Sequence, residues 1–417
     1  NRPAFAAAGK VATDTLASRL RRLAGPAQIL VGNCAAGTKY GWFNGWMREN
    51  FPFQGGGSWY TNMYSDPGGY FVDEANWLLP RSNWIFSASS GQYTQYSADN
   101  TRRARFGLGT ASLGGGHAVF SPAARTSRPE QFMAWWYDEY AVNLSNGASS
   151  TLRQHTGWLG QALGPCYQMV WVGPTPDIVT NPSFETDVTS GWRLFTVVGS
   201  TATRDSTSAP HGASSVHLTV PSADANVPWS TAFNTLGNLP VFQNQLYSAT
   251  FWAKAAWPRS IEVIAGYAGG GGTYARQVLR IDTTWRRYQV VLQPIASGDA
   301  ELDFLIAGEL GDVWLDDVHF QAGVYGVYRR DFQNGVVLVN PGNTPLDVVM
   351  EGPFKRISGQ RDPAINNGVL SNTHTVQLSD ALFLIGTDIT APAAIQDLHA
   401  VPPGTSNTSG APPRDDR

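Results

Sequence analysis

From Gly173-Pro174-Thr175-Pro176 to Ala322 the chain is a succession of short runs rich in Thr, Val, Ser and aromatic residues, with turn signals about every ten residues. Strands place successive side chains on opposite faces, and many short strands in series bury their apolar faces by closing on one another as a β-sandwich. The stretch therefore predicts a sandwich over 177–322. Within it Trp229, Trp257 and Tyr267 are aromatic planes available for stacking on a sugar ring. Trp252, in Ala249-Thr250-Phe251-Trp252-Ala253-Lys254, suits stacking or the core of an alternating strand equally.

On either side the pattern differs. Phe5, Val11, Leu16, Leu20 and Leu23 recur at helical intervals, Arg19, Arg21 and Arg22 come late in the run where cations suit a helix C-terminus, and Gly25-Pro26 stops it. Ile29 to Gly32 in AQILVGN is the strand that follows. Trp59 to Tyr64 reads as a helical turn, Trp84 to Ala88 as a strand, Asp99 to Leu113 as a helix and His117 to Phe120 as a strand, with room for another strand between Tyr70 and Leu79. This alternation predicts an α/β unit over 1–172 holding three or four of the strands of a (β/α)8 barrel. Earlier βα units are expected to be missing, leaving one side of the sheet unpaired. Cys166 to Val172 reads as a strand. After the sandwich, Val327 to Pro341 gives two strand-like runs joined through Asn334-Gly335, a strong hairpin signal. Runs at Leu346 to Met350, Thr373 to Leu378 and Ala381 to Ile385 complete a small all-β domain over 323–386.

The chemistry is expected at Gly41 to Pro52, GWFNGWMRENFP, just past the carboxyl end of the first strand, where α/β barrels keep their active sites. Glu49 lies there in a connection beside Trp46, a carboxylate next to aromatics as a sugar subsite requires. In the competing reading Trp42, Phe43 and Trp46 are barrel core and Glu49 pairs with Arg48 or another base. A second cluster, Trp135-Trp136-Tyr137-Asp138-Glu139, offers stacking planes and further carboxylates, or else is an amphipathic helix that buries its aromatics. Two carboxylates flanking a bond are the usual equipment of glycoside hydrolysis. His117 and His155 have no second ligand at metal spacing and read as structural.

A net charge of −3 with 15% charged residues gives no electrostatic case for nucleic acid or an anionic membrane among the partners. No apolar run approaches a membrane span, and the opening NRPAFAAAGKVATD lacks the layout of a signal peptide. The 44 glycines and 15 tryptophans with few charges fit an extracellular protein acting on polysaccharide or oligosaccharide. Cys34 and Cys166 are expected as two buried thiols in preference to one bridge.

Two resemblances sharpen this. Asn181-Pro182-Ser183-Phe184-Glu185, Gly191-Trp192 and the closing Val313-Trp314-Leu315-Asp316-Asp317-Val318 resemble the ends of jelly-roll carbohydrate-binding modules. The resemblance implies a structural calcium ion, Ca2+, held by Glu185 and Asp317. RxRFGLGTASL, WWYDEYAVNL, LGP, YRRDFQNGVVLVNP and SGQRDPAINNG resemble a group of (β/α)8-barrel glycoside hydrolases with a C-terminal β domain, over about 1–172 and 323–386. That likeness carries Asn33 and Glu49 over as site residues, with Asp138 or Glu139 assisting, and implies that the sugar module interrupts the run. The fold class is then multidomain α/β plus all-β: a partial (β/α)8 barrel, an inserted jelly-roll sandwich and a small C-terminal β domain. Residues 387–417 are expected to form a linker and the start of a fibronectin type III-like domain.

Overall fold

The computed structural model describes residues 2–33, 40–51, 59–64, 68–89, 96–121, 135–173, 177–237 and 239–386. Cys34 and the fibronectin-like segment lie outside the described residues.

The first unit runs α1 (Arg2–Ala24), β1 (Val31–Gly32), β2 (Gly45–Glu49), α2 (Trp59–Tyr64), α3 (Tyr70–Asn76), β3 (Trp84–Ala88), α4 (Ala98–Leu113) and β4 (His117–Ser121). The four strands form one parallel sheet in chain order. Two expectations are corrected. The fourth strand is Gly45–Glu49, the segment read as a connection, whereas Tyr70–Asn76, where a strand was sought, is helix α3. A five-residue strand of Gly, Trp, Met, Arg and Glu lacks β-branched residues, so its strand character comes from pairing with two neighbours and not from propensity. Helix α1 is present, but Val11, Leu16, Leu20 and Leu23 are exposed and only Ala17 of its apolar positions is buried among those described.

Helix α4 begins at Ser97, whose hydroxyl accepts the Asn100 N–H (3.2 Å), a helix N-cap. It lies between two sheets. Gly107 faces Ser87 of β3, and Gly109 faces Ala381 and Val339 of the C-terminal sheet so closely that a Cβ at either position would collide. The two glycines let both layers approach the helix closely at these points.

The C-terminal sheet is antiparallel, in the order Leu370–Val376, Leu346–Arg356, Asp380–Ile385, Gly335–Asn340, Tyr328–Phe332, Tyr167–Gln168. Its hairpin pairs Phe332 with Gly335, so the turn is Gln333-Asn334, one residue earlier than the Asn-Gly signal implied. The strand read over Cys166 to Val172 is broken at Val170, whose φ of 54° takes the chain out of extended geometry. Its second half, Trp171–Val172, pairs with Val324–Tyr325, so the chain enters and leaves the sandwich through adjacent strands.

The sandwich has a five-stranded sheet, in the order Thr201–Asp205, Ser215–Thr219, Val313–Ala322, Tyr247–Ala255, Arg286–Leu292. It packs on a second sheet in the order Thr273–Ile281, Arg259–Tyr267, Gly298–Leu305, Thr231–Thr235, Trp192–Thr196, with Leu239–Val241 pairing alongside Gly298–Leu305. These jelly-roll-like sheets enclose Phe184, Trp192, Phe233, Phe251 and Phe304, and Trp192 stacks flat on Phe233 at 4.9 Å. Leu246 and Val291 extend into an apolar cluster with Phe51, Trp59 and Tyr328, which joins the sandwich to the rest of the chain.

Candidate functional site

The pairing register decides what the sequence-predicted residues can share. Glu49 ends β2 exposed, and Asn33, just past β1, directs its side-chain amide at the Glu49 carboxylate (Nδ2 to Oε1, 3.4 Å). Both stand at the carboxyl ends of parallel strands. Trp46 does not join them, because alternation turns it with Arg48 to the opposite face, where the Arg48 guanidinium lies 4.8 Å from its ring. Arg48 does not pair with Glu49 either. It is buried, forms an ion pair with Asp73 and donates to the Gly68 carbonyl (2.9 Å). Burial lowers the Arg48 pKa while Asp73 opposes the shift.

Residues 135–140 are not an amphipathic helix: 135–137 are irregular chain, extended at Tyr137, leading into a 3-10 turn, Asp138–Tyr140. Trp135 and Tyr137 pack on Phe120, with ring centroids at 6.0 and 5.5 Å. Phe120 pairs with Ser87, whereas Glu49 pairs with Phe86, so the cluster and Glu49 belong to opposite faces of the sheet. Tyr137 is 1% exposed and therefore core, not a stacking plane; burial raises its hydroxyl pKa. Trp136 is half-buried, its Nε1 donates to the Ser150 carbonyl (2.7 Å), and with Asp138, Thr151, Gln360 and Arg361 it lines a small polar pocket.

Asp138 and Glu139 are both buried and turned to the C-terminal domain. Asp138 accepts the backbone N–H groups of Gln360 (2.9 Å), Arg361 (3.0 Å) and Asp362 (3.0 Å). Burial works to raise its pKa, but those donors prevail and hold it below the usual value. Glu139 accepts from Asn366 Nδ2 (2.7 Å) and lies 4.0 Å from Arg105; burial pushes it up to about 7 in spite of the guanidinium. Their oxygens are committed to holding two domains together, which corrects their expected part beside Glu49. Cys166 is a free buried thiol, pushed up to about 12 by burial.

In the sandwich, Trp229 and Trp257 are about half exposed, at 52% and 47%. They flank the loop 306–311: Ala307 N–H donates to the Pro228 carbonyl, the Trp257 ring lies against Gly311, and Arg259 holds the loop through the Leu310 and Gly311 carbonyls (2.9 Å each). Trp252 is half-buried and paired with Arg287 and Asp316. Glu185 and Asp317 approach the same turn, His211 to Ala213. Glu185 accepts the Ala213 N–H (3.0 Å), and Asp317 lies 3.7 Å from His211 and 2.9 Å from His319. Phe184 (φ 53°) and Asp317 (φ 48°) are both left-handed there, a costly backbone found mostly where a ligand or clamp fixes it. Among the described residues no group of three or more His, Cys, Asp or Glu is placed to hold a metal.

The most developed polar surface is one the sequence reading missed, the outer face of the second sheet. Along Gly298–Leu305, Ala300, Leu302 and Phe304 point into the core, so Asp299, Glu301, Asp303 and Leu305 point out. In register, Arg193, Asn234, Asp303, Ile264 and Arg276 form one row across the five strands. A parallel row runs Phe195, Ala232, Leu305, Glu262, Val278, and its centre with Ile264 is a small apolar patch. Glu301 accepts from Arg193 (2.9 Å), Asn234 Nδ2 (2.5 Å) and Gly269 N–H (3.2 Å). Burial, with Glu301 adding, pushes Asp303 up to about 8. Tyr267 is 39% exposed and packs on Tyr274 at 4.4 Å at the margin. A polar row beside an apolar strip matches the two surfaces of a pyranose, hydroxyl edge and C–H face. The signal was present as DAELDFL, charged residues alternating with apolar ones.

Comparison with known proteins agrees with this segment. Residues 176–309 match the family model CBM_4_9, described as a carbohydrate binding domain. Similar solved structures include one titled CBM4 structure and function (19% identity, 34% of this chain and 99% of that one, TM-score 0.27). Another is the CBM22-1 xylan-binding domain of a Paenibacillus barcinonensis protein (16%, 36% and 97%, 0.29). A third is a CBM61 module in complex with β-1,4-galactotriose (18%, 36% and 99%, 0.26). Scores that low leave the fold to rest on the strands and register above. No curated protein matches the chain. Residues 176–309, most of the sandwich, thus match a carbohydrate-binding family.

Proposed function

We propose that the chain binds an extracellular polysaccharide or oligosaccharide on the outer face of the second sandwich sheet, with Asn234, Glu301 and Asp303 as its polar floor. The observation that carries this is the row Arg193, Asn234, Asp303, Ile264, Arg276 set beside an apolar strip on a face outside the core. Xylan and β-1,4-galactotriose are the first glycans to try, since they are what two of the similar modules are titled with. Retention of the full chain on a glycan array supports the reading, and no retention on any glycan refutes it. No described helix is long and apolar enough to cross a membrane.

A second reading, glycoside hydrolysis, is favoured by one observation: Asn33 and Glu49 meet at 3.4 Å at the carboxyl ends of two parallel strands in chain order. In this reading residues 1–172 are the later part of a (β/α)8 barrel, Glu49 is acid/base or nucleophile and Asn33 orients the sugar. Replacing Glu49 with Gln in a protein that releases reducing sugar should cost at least ~10²-fold in rate without changing its melting temperature. Activity within twofold of the parent removes Glu49 from the chemistry. In this proposal Glu185 and Asp317, which both reach the turn His211 to Ala213, would serve as hard oxygen ligands of a calcium ion and would tie the first segment of the module to its last strand.

A further inference from the structure

The outer face of the second sheet is closed over in this structure. Asn234, Glu301, Ala232, Ile264 and Leu305 all point out of the sandwich, yet each is only 3–9% exposed. Two groups reach in from opposite margins and meet on one carboxylate. Arg193, on the edge strand Trp192–Thr196, passes over the neighbouring strand to donate to Glu301 Oε2 (2.9 Å), where Asn234 Nδ2 also donates. From the other side, the hairpin that joins Arg259–Tyr267 to Thr273–Ile281 donates the Gly269 N–H to Glu301 Oε1 (3.2 Å).

The hairpin tip, Ala268-Gly269-Gly270-Gly271, is suited to moving. Its base is held by Tyr267 N–H on the Gly272 carbonyl (3.0 Å) and Ala268 N–H on the Asp299 carbonyl (3.1 Å). Gly270 N–H donates back to the Tyr267 carbonyl (2.8 Å), a bond internal to the turn. Among the described residues, the bond from Gly269 to Glu301 is what ties the tip to the floor. Gly269, Gly270 and Gly271 have φ of 87°, 89° and 89°, and a Cβ at any of them would meet nothing within 4 Å. Packing therefore does not require glycine there, whereas the backbone conformation does. An exposed glycine run with one tether belongs to the low-stability end of a fold, from which lids are drawn.

We propose that this tip is a lid: latched on Glu301 it keeps the groove shut, and a glycan binds by lifting it and giving Glu301 Oε1 a sugar hydroxyl in place of the Gly269 N–H. This rests on the reading of the outer face as the binding surface. The exchange swaps one donor for another on the same oxygen, while Arg193 and Asn234 stay on Oε2, so the carboxylate keeps its hydrogen bonds throughout. Apparent affinity is then the affinity of the open groove multiplied by the fraction of molecules that are open.

Two variants of the full chain loosen the lid in different ways. Gly270→Ala combined with Gly271→Ala puts side chains on two residues of positive φ, which disfavours the latched turn by about tenfold for each. Replacing the segment Ala268 to Gly271 by Asn-Gly makes a two-residue hairpin turn that no longer reaches Glu301. Binding of fluorescently labelled xylohexaose and β-1,4-galactotriose is followed by stopped flow and by equilibrium titration, with Asn234→Ala measured alongside. The parent should associate at a rate that levels off with sugar concentration, the limit being the rate of opening. Both variants should bind at least about threefold tighter, with an association rate that rises linearly with concentration. Binding detected in the two lid variants alone also supports the lid, and binding in none of the proteins overturns it. Lid variants with the parent's affinity and rates overturn it as well, as do lid variants that melt like the parent but bind more weakly, since the tip would then be part of the site. If those outcomes come with Asn234→Ala losing its binding, the lid alone falls; Asn234→Ala binding as tightly as the parent overturns the outer face itself.

Discussion

Replacing Arg105 with Met separates α4 from the C-terminal sheet electrostatically while keeping most of the aliphatic stem. The guanidinium is 2% exposed and meets Asp380 at 2.7 Å, Asp362 at 2.5 Å and Glu139 at 4.0 Å. Removing one partner of a buried ion pair costs about 3–5 kcal/mol, because the remaining charges have lost their compensation and cannot reach water. Met recovers part of the packing, which places the net loss near the lower end. For a unit of 150–250 residues each kcal/mol moves the midpoint by ~2–4 °C, so the melting transition should fall by roughly 6–12 °C. Differential scanning calorimetry of the full chain measures it. A fall below about 3 °C, equivalent to ~1 kcal/mol, refutes the claim that this network holds the two units together.

Three further outcomes are expected. Burial keeps the Glu139 proton on to about 7, against 4.5 for the exposed side chain of an unfolded chain, so the native state binds the extra proton between those values. The contribution of this group to stability therefore falls as pH rises across that window and is flat above it. Denaturant titrations at either end of the window should show the fall in the parent and not in Glu139→Gln; the same slope in both refutes it. If Glu185 and Asp317 hold calcium, chelation should lower the melting temperature of the full chain, since a ligand held only by the native state adds RT ln(1 + [L]/Kd). An unchanged curve in EDTA removes the ion. Glu49→Gln, as described, decides whether the parallel sheet has chemistry of its own.

What could be read from sequence followed the strength of local signals. Helix α4, read as Asp99 to Leu113, and strands Trp84–Ala88 and His117–Ser121 were legible almost to the residue, though the Ser97 cap was not. Gly45–Glu49 was not, because apart from Trp46 its residues have little strand propensity and it is made a strand by its two neighbours. The binding face was missed for a related reason. Exposed tryptophans such as Trp229 and Trp257 draw attention as residues, whereas Arg193, Asn234 and Asp303 are far apart in the chain and become one row only through register. Asp138 and Glu139 misled in the opposite sense: acids beside aromatics read as chemistry, but their partners, Gln360 to Asp362 and Asn366, are some 220 residues later, at separations of 222 to 228.

The central claim is that the glycan lies on the outer face of the second sheet and not on the exposed tryptophans. Affinity electrophoresis of the full chain in gels containing the glycan that binds best on the array tests it directly, comparing Asn234→Ala/Glu301→Ala with Trp229→Ala/Trp257→Ala. The account predicts that the first pair abolishes retardation and the second leaves it within about twofold of the parent, as expected if the polar floor supplies the oriented hydrogen bonds. Retardation lost in the tryptophan pair and kept in the floor pair would contradict it.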